Sequence, residues 1–281
     1  MPIIEFLSGF DHPLIYFLMR FASLLGDRAF YVILFPVMYW FWRRDDAIRL
    51  TVLLCISILI NFWLKELFQI PRPEGMAEVE ADSFAFPSGH AQHGIVLWGF
   101  LALHSGKLYG QAIGIVILIG LSRLYFGVHW PIDVAGGWLI GGVLLMGFLW
   151  SEPRLKPFWV AQARQMRFIL FFIITVVVSL FSSIPYGGIV MGALFGLTTG
   201  GLVAGSLRLP STGISPVRGG AMVILGSTGL YFIYLAVQPI RHSGEGALFL
   251  ALTIIGLWIA LGVPWLTDKV LNSSGFERRR D

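Results

Sequence analysis

Long apolar stretches separated by short polar segments dominate the chain from residue 28 onward. Most of them approach the roughly 20 apolar residues that a helix needs to cross about 30 Å of hydrocarbon. Because lipid cannot hydrogen-bond exposed backbone, such stretches favour α-helices. The pattern predicts an all-α, polytopic membrane helical bundle of nine transmembrane helices. The predicted spans are 28–42, 47–68, 88–104, 108–126, 131–150, 168–184, 187–207, 219–239 and 245–266.

The first 26 residues follow a different pattern. Apolar side chains recur at helical spacing between Leu14 and Leu25, while Arg20 and Ser23 lie off that stripe. The apolar run is short, and Arg20 interrupts it. This segment is therefore predicted to be an N-terminal interfacial helix that lies along the membrane surface without crossing it.

The composition excludes an ordinary soluble globule. Hydrophobic residues make up 56% of the chain, charged residues 13%, and the mean hydropathy is +0.77, whereas soluble domains are about a quarter charged. The net charge of +4 comes from basic residues scattered between apolar runs, so no nucleic-acid partner is predicted. The single cysteine, Cys55, lies inside a predicted span, where we expect a small core residue without a disulfide.

The basic residues divide unevenly between the two sides of the predicted bundle. With nine spans, 14 of the 20 lysines and arginines fall on one side, which the positive-inside rule assigns to the cytoplasm. The N-terminus is then outside and the C-terminus inside. In the absence of a recognisable retention signal, we expect a bacterial inner membrane. The outer basic residues are Arg20, Arg28, Lys65, Arg72, Arg123 and Arg241.

Three of these outer cations lie at or near span ends, together with side chains suited to phosphoryl chemistry. Charged groups near hydrocarbon are costly and tend to be functional. Lysine and arginine neutralise phosphate oxygens, and a helix that begins at Ser88–Gly89 offers free backbone N–H groups. The sequence therefore predicts a phosphoryl site on the extracytoplasmic face. Its residues are Lys65, Arg72, Ser88, Gly89, His90, Arg123, His129 and Asp133.

Three of the site residues have side chains suited to catalysis. His129 and Asp133 are four residues apart and share one face of a helix. A carboxylate there can hold one imidazole nitrogen as N–H, which leaves the other nitrogen free to attack phosphorus. His90 is the natural acid for the leaving alkoxide. No set of His, Cys or carboxylate residues has metal-ligand spacing, so we predict a reaction that needs no metal or other cofactor.

The site residues fall into three short motifs. Residues 65–73 read K-x6-R-P, residues 87–90 read P-S-G-H, and residues 122–133 read S-R-x5-H-x3-D. Complete and in this order, they resemble the type 2 phosphatidic acid phosphatase superfamily, which includes bacterial lipid phosphatases, glucose-6-phosphatase and vanadium haloperoxidases. The resemblance implies a phosphohistidine on His129, with Lys65, Arg72, Ser88, Gly89 and Arg123 binding phosphate. The nine-span count and the segment from Asp27 also look like glucose-6-phosphatase.

Two further features lie beside the motifs. His93 follows His90 by one helical turn and is expected to line or support the site. An acidic segment, with Glu74, Glu78, Glu80 and Asp82, is expected to be a solvated loop.

The predicted domains are a phosphatase catalytic core at 1–150 and four additional C-terminal spans with a cytoplasmic tail at 151–281. The expected partner is a membrane lipid substrate of the phosphatidic acid, phosphatidylglycerol phosphate, undecaprenyl diphosphate or sphingoid phosphate class. Three alternatives stay open: a lipid phosphotransferase, a sugar-phosphate phosphatase of the same mechanism, and a catalytically silent lipid transporter or scaffold. The sequence indicates no oligomeric state.

Overall fold

In the structure, a computed structural model, helices are the regular secondary structure of the residues that it describes. These are residues 9, 12–73, 83–181, 187–209, 215–240 and 244–273, and they contain no β-strand. The helices are α1 (Pro13–Leu24), α2 (Arg28–Phe41), α3 (Arg44–Phe68), α4 (Gly89–Ser105), α5 (Tyr109–Tyr125), α6 (Pro131–Ala161), α7 (Arg164–Phe181), α8 (Gly187–Ser206), α9 (Pro216–Val237), α10 (Glu245–Leu257) and α11 (Val263–Ser273). The all-α prediction is confirmed for these residues.

Every predicted span overlaps a helix, and within the described part of the chain five helical segments are long and apolar enough to cross a membrane. These five are α3, α6, α8, α9 and the continuous segment Glu245–Leu271. Helices α2 and α5 are apolar but shorter. The segment that was predicted to be interfacial forms α1, with Pro13 at its first position, where a missing N–H costs no helical hydrogen bond.

Helix α6 is longer than the membrane span predicted within it. Its 31 residues run from Pro131 to Ala161, whereas the predicted span ends at residue 150. Polar residues mark the end of the apolar run, and a helix can continue beyond hydrocarbon. Arg154 supports the extension, since its guanidinium donates to the carbonyl of Trp150 and lies 4.1 Å from the centre of that ring.

The chain forms two compact units. The first unit comprises residues 1–33 and 56–156, and the second comprises 34–55 and 157–281. Helix α3 therefore contributes its first half to the second unit and its second half to the first. These compact units do not test the predicted division into a catalytic core at 1–150 and additional spans at 151–281, which stays a prediction.

Helices α4 and α6 approach closely in the first unit because α6 carries glycine at the crossing. A Cβ atom on Gly137 would lie 2.6 Å from the carbonyl oxygen of Ser88, and one on Gly141 would lie 2.5 Å from that of Gln92. Only glycine permits so short a separation between helix backbones. The same contact brings the start of α4 against the start of α6, where the predicted site residues lie.

The second unit is organised by similar small-residue packing between α8 and α10. A Cβ atom on Gly256 would lie 2.6 Å from the backbone nitrogen of Leu197. After α10 the chain forms a π-helical turn at Trp258–Gly262. In this turn the indole of Trp40 donates to the carbonyl of Ile259, and the hydroxyl of Tyr39 donates to that of Ala260, each at 2.9 Å.

Candidate active site

The start of α4 carries the P-S-G-H segment. Ser88 precedes the first helical residue, Gly89, and its backbone N–H donates to the carbonyl of Asp133 at 2.9 Å. The Ser88 side chain is fully buried, and its hydroxyl has no hydrogen-bond partner among the described residues. Ser88 thus joins the starts of α4 and α6.

His129 and Asp133 form a buried pair where the chain enters α6. The sequence predicted that both lie on one face of a helix, but α6 begins at Pro131 and His129 lies in the bend before it. Nδ1 of His129 lies 3.3 Å from Oδ2 of Asp133, and the two side chains are 1% and 0% exposed. The same carboxylate oxygen accepts the backbone N–H of Trp130 at 2.7 Å. Asp133 therefore caps the first turn of its own helix and holds the imidazole of His129 at the same time.

Arg72 faces the other nitrogen of His129. Its Nη1 atom lies 3.4 Å from Nε2 of His129 and donates to the carbonyl of Val128 at 2.9 Å. A guanidinium can only donate hydrogen bonds, so Nε2 carries a lone pair and the proton is on Nδ1, beside Asp133. This is the tautomer that a nucleophilic Nε2 atom requires.

Lys65 and Arg72 also hold the segment that leads into α4. Lys65 donates to the carbonyls of Phe84 and, at 3.5 Å, Ala85. Arg72 donates to the carbonyl of Ser83 at 2.8 Å and to its hydroxyl at 2.9 Å. The two cations therefore position this loop beside His129.

Arg123, at the end of α5, is 5% exposed, and its Nη1 atom donates to the hydroxyl of Ser23 in α1 at 2.8 Å. Burial lowers the pKa of His129, and the positive charges of Arg123, Arg72, Lys65 and His90 lower it further. The cations predicted from the sequence thus surround the predicted nucleophile and favour its neutral form.

Comparison with known proteins identifies the family of this chain. The model of the PAP2 superfamily matches residues 46–157. Phosphatidylglycerophosphatase B of Bacillus subtilis is 33% identical over 149 residues, which cover 48% of this chain and 73% of that protein. The chain belongs to the PAP2 superfamily.

The PAP2 family, together with relatives that are named phosphatases, shows a phosphoric ester hydrolase, and the apolar helices agree with an integral membrane protein. Sphingosine-1-phosphate phosphatase 1 of Rattus norvegicus is 28% identical over 149 residues, which cover 48% of this chain and 34% of that protein. The crystal structure of a PAP2-type phosphatidylglycerolphosphate phosphatase from Bacillus subtilis aligns with a TM-score of 0.45 and 26% identity, covering 55% of this chain and 84% of the other.

A buried polar network between α3 and α4 lies next to the PAP2 motifs, and sequence reasoning missed most of it. Asn61 donates to the carbonyl of Pro87 at 3.2 Å and to Oε1 of Gln92 at 2.9 Å. Gln92 donates to the carbonyl of Ser57 at 2.9 Å, and the Ser57 hydroxyl lies 2.9 Å from Nδ1 of His93. His93 thus lies in the network beneath the site. The spacing of Ser57, Asn61 and Lys65 by four residues was the available signal.

Two features that the sequence analysis singled out lie outside the described residues. These are the acidic segment at 74–82 and Arg241. Among the residues that are described, no group of three or more His, Cys, Asp or Glu side chains is arranged to hold a metal ion.

Proposed function

We propose that this chain is an integral membrane lipid phosphatase that works through a phosphohistidine on His129. The observation that carries the proposal is the position of the His129 ring. Its Nδ1 atom faces Asp133 at 3.3 Å, while Nε2 faces the cationic Arg72 at 3.4 Å. A phosphoryl group attracted to Arg72 would meet the lone pair of a neutral imidazole.

In the first step, Nε2 of His129 attacks phosphorus and the bond from phosphorus to the lipid oxygen breaks. Protonated His90 gives its proton to the departing oxygen, so the lipid leaves as an alcohol or, from a diphosphate, as a monophosphate. Asp133 stabilises the positive charge that develops on the His129 ring.

In the second step, neutral His90 takes a proton from water as the water oxygen attacks the phosphohistidine. The bond from phosphorus to Nε2 breaks, inorganic phosphate leaves, and both histidines return to their starting states. Lys65, Arg72 and Arg123 offset the negative charge on the phosphoryl oxygens in both steps, and the Ser88 hydroxyl and Gly89 N–H donate to those oxygens. This donor set supports a mechanism without a metal ion.

A lipid is the proposed substrate class. The two named relatives act, by their names, on phosphatidylglycerophosphate and sphingosine-1-phosphate. An apolar cavity of about 350 Å³ lies between α4 and α5, with Trp138 of α6 in its wall. Its lining begins at Ile95, six residues after Gly89 and therefore about 9 Å along the helix. An acyl or prenyl chain below the phosphate would find apolar surface there.

We also propose that all nine predicted spans cross the membrane and that the site faces the extracytoplasmic side. The end of α3, the start of α4, the end of α5 and the start of α6 carry the site residues. Consecutive membrane helices run in alternate directions, so these four ends lie on the same side. The 14-to-6 division of basic residues supports an outer location for that side.

Two alanine variants assayed on two substrates test the mechanism. The proteins are purified in detergent and assayed with a lipid phosphomonoester and with nitrophenyl phosphate. His129→Ala should be inactive on both, because no substrate can bypass the nucleophile. His90→Ala should lose about 10²–10⁴-fold on the lipid ester and much less on nitrophenyl phosphate, whose leaving group is stable as an anion.

The His90→Ala sample is its own folding control, because activity on nitrophenyl phosphate shows that its site is intact, and thermal unfolding checks the fold of His129→Ala. Equal losses for both variants on both substrates would contradict the assigned roles. Activity of His129→Ala on nitrophenyl phosphate would reverse them. Inorganic phosphate release identifies a hydrolase, whereas radiolabelled phosphate appearing in a second lipid would identify a phosphotransferase.

A further inference from the structure

A second histidine–carboxylate pair lies in the first unit, outside the three motifs. Nε2 of His90 lies 3.5 Å from Oδ2 of Asp27, with side-chain exposures of 16% and 45%. Asp27 belongs to the short connection between α1 and α2, more than sixty residues before His90. It also lies outside residues 46–157, which the family model matches.

The packing of the connection explains why Asp27 reaches His90. A Cβ atom on Gly26 would lie 3.3 Å from the carbonyl oxygen of His90 and 2.8 Å from Cγ2 of Ile119, so this glycine lets the backbone rest directly on α4. The carbonyl of Gly26 accepts from the hydroxyl of Tyr31 at 3.0 Å. The preceding carbonyl, of Leu25, accepts from the indole of Trp98 at 3.3 Å. Contacts on both sides thus fix the backbone that presents Asp27.

We infer that Asp27 is a positioning residue for the general acid His90, a role that rests on the proposed function. A carboxylate next to Nε2 keeps that nitrogen protonated and favours the imidazolium form of the ring. Nδ1 is then the nitrogen that exchanges a proton with the leaving oxygen and with water. The site thus holds two histidine–carboxylate pairs of opposite orientation, since His129 presents Nδ1 to Asp133 and keeps Nε2 for phosphorus.

The exposure of Asp27 makes this role separable from folding. With almost half of its side chain in solvent, its ion pair adds little to the stability of the fold. Asp27→Asn keeps the size of the side chain and removes only its charge. Asp27→Glu restores the carboxylate. Glu66→Gln is the matched control, because Glu66 is an exposed acid in the last turn of α3, one residue from Lys65.

The test measures kcat and KM for these variants on a lipid phosphomonoester and on nitrophenyl phosphate. Asp27→Asn should lower kcat on the lipid ester by about tenfold, a part of the 10²–10⁴-fold that a general acid contributes. KM and the activity on nitrophenyl phosphate should change by less than about twofold. Asp27→Glu should recover most of the lost kcat, and Glu66→Gln should match the unmodified protein.

A double variant decides whether Asp27 acts through His90. In the His90→Ala background, Asp27→Asn should cause no further loss, because the two changes remove the same function. A further tenfold loss there, an equal loss on both substrates, or a raised KM with unchanged kcat would each overturn the inference. A different result tests the proposed function. It would be contradicted if His90→Ala alone lost activity equally on both substrates.

Discussion

The guanidinium of Arg72 lies 3.4 Å from Nε2 of His129, on the side of the ring opposite Asp133. Arginine keeps its charge across the physiological range and offers no acceptor, so this contact and the carboxylate together select one tautomer. Burial lowers the pKa of His129, and the charge of Arg72 is among the influences that lower it further. The imidazole therefore stays neutral in the absence of substrate, as a nucleophile must.

The lowered pKa of His129 predicts the acid limb of the pH–rate profile. A base is active above its pKa, so kcat/KM should remain high below pH 6.5, the ordinary value for histidine. Arg72→Gln removes one of the cations, so it should move the acid limb toward higher pH as well as weaken binding. Arg20→Gln, at an exposed position of α1, should leave the limb in place. If the acid limb of Arg72→Gln stayed at the same pH or moved to lower pH, Arg72 would not lower the pKa of His129.

Close packing of α4 and α6 predicts opposite outcomes for two glycines of one helix. Gly137→Ala would place a methyl group 2.6 Å from the Ser88 carbonyl, whereas Gly142 has open space around it. Overpacking costs about 1–3 kcal/mol, and here it would also shift Ser88 relative to Asp133. We expect a lower Tm and a lower kcat for Gly137→Ala and no loss for Gly142→Ala, measured by thermal unfolding and phosphate release. Equal Tm values would mean that the two helices separate without cost.

The cationic donor set predicts how the enzyme responds to chelators and to vanadate. Activity should persist in excess chelator, since Lys65, Arg72 and Arg123 supply the positive charge. Vanadate should inhibit competitively, because it can adopt five-coordinate geometry on Nε2 of His129. The inhibition constant should rise in Arg72→Gln. Loss of activity in chelator that a divalent metal restores would contradict the metal-independent mechanism.

The proposed topology predicts different labelling of two exposed positions. Cysteines are introduced at Gln69, after α3, or at Lys107, between α4 and α5, in a Cys55→Ser background. An impermeant thiol reagent should label Gln69→Cys in intact cells and Lys107→Cys only after lysis. The reverse pattern would place the site on the cytoplasmic face. Labelling of both positions in intact cells would mean that α4 does not cross the membrane.

Local features of the site follow from the sequence alone. Apolar runs set the helices, since lipid leaves the backbone no other way to satisfy its hydrogen bonds. The four-residue separation keeps Asp133 within reach of His129, although His129 lies in the bend before α6 and not on the predicted helical face. Pro131 suits the first turn of α6. These expectations concern residues a few positions apart, which the chain itself keeps close together. Helix α6 continues beyond the predicted span because the polarity that ends a span does not end a helix.

Relationships between distant segments required the tertiary structure. Ser23 binds Arg123 and Asp27 approaches His90, although neither pair is linked by any spacing or motif in the chain. The grouping of residues 34–55 with 157–281 is equally invisible in the sequence. Hydropathy indicates which residues face lipid or protein, and helical periodicity indicates which residues share a face. Neither indicates which faces of different helices pack together. That choice depends on close packing, such as the contact of Gly26 with α4, and packing exists only once the helices have assembled.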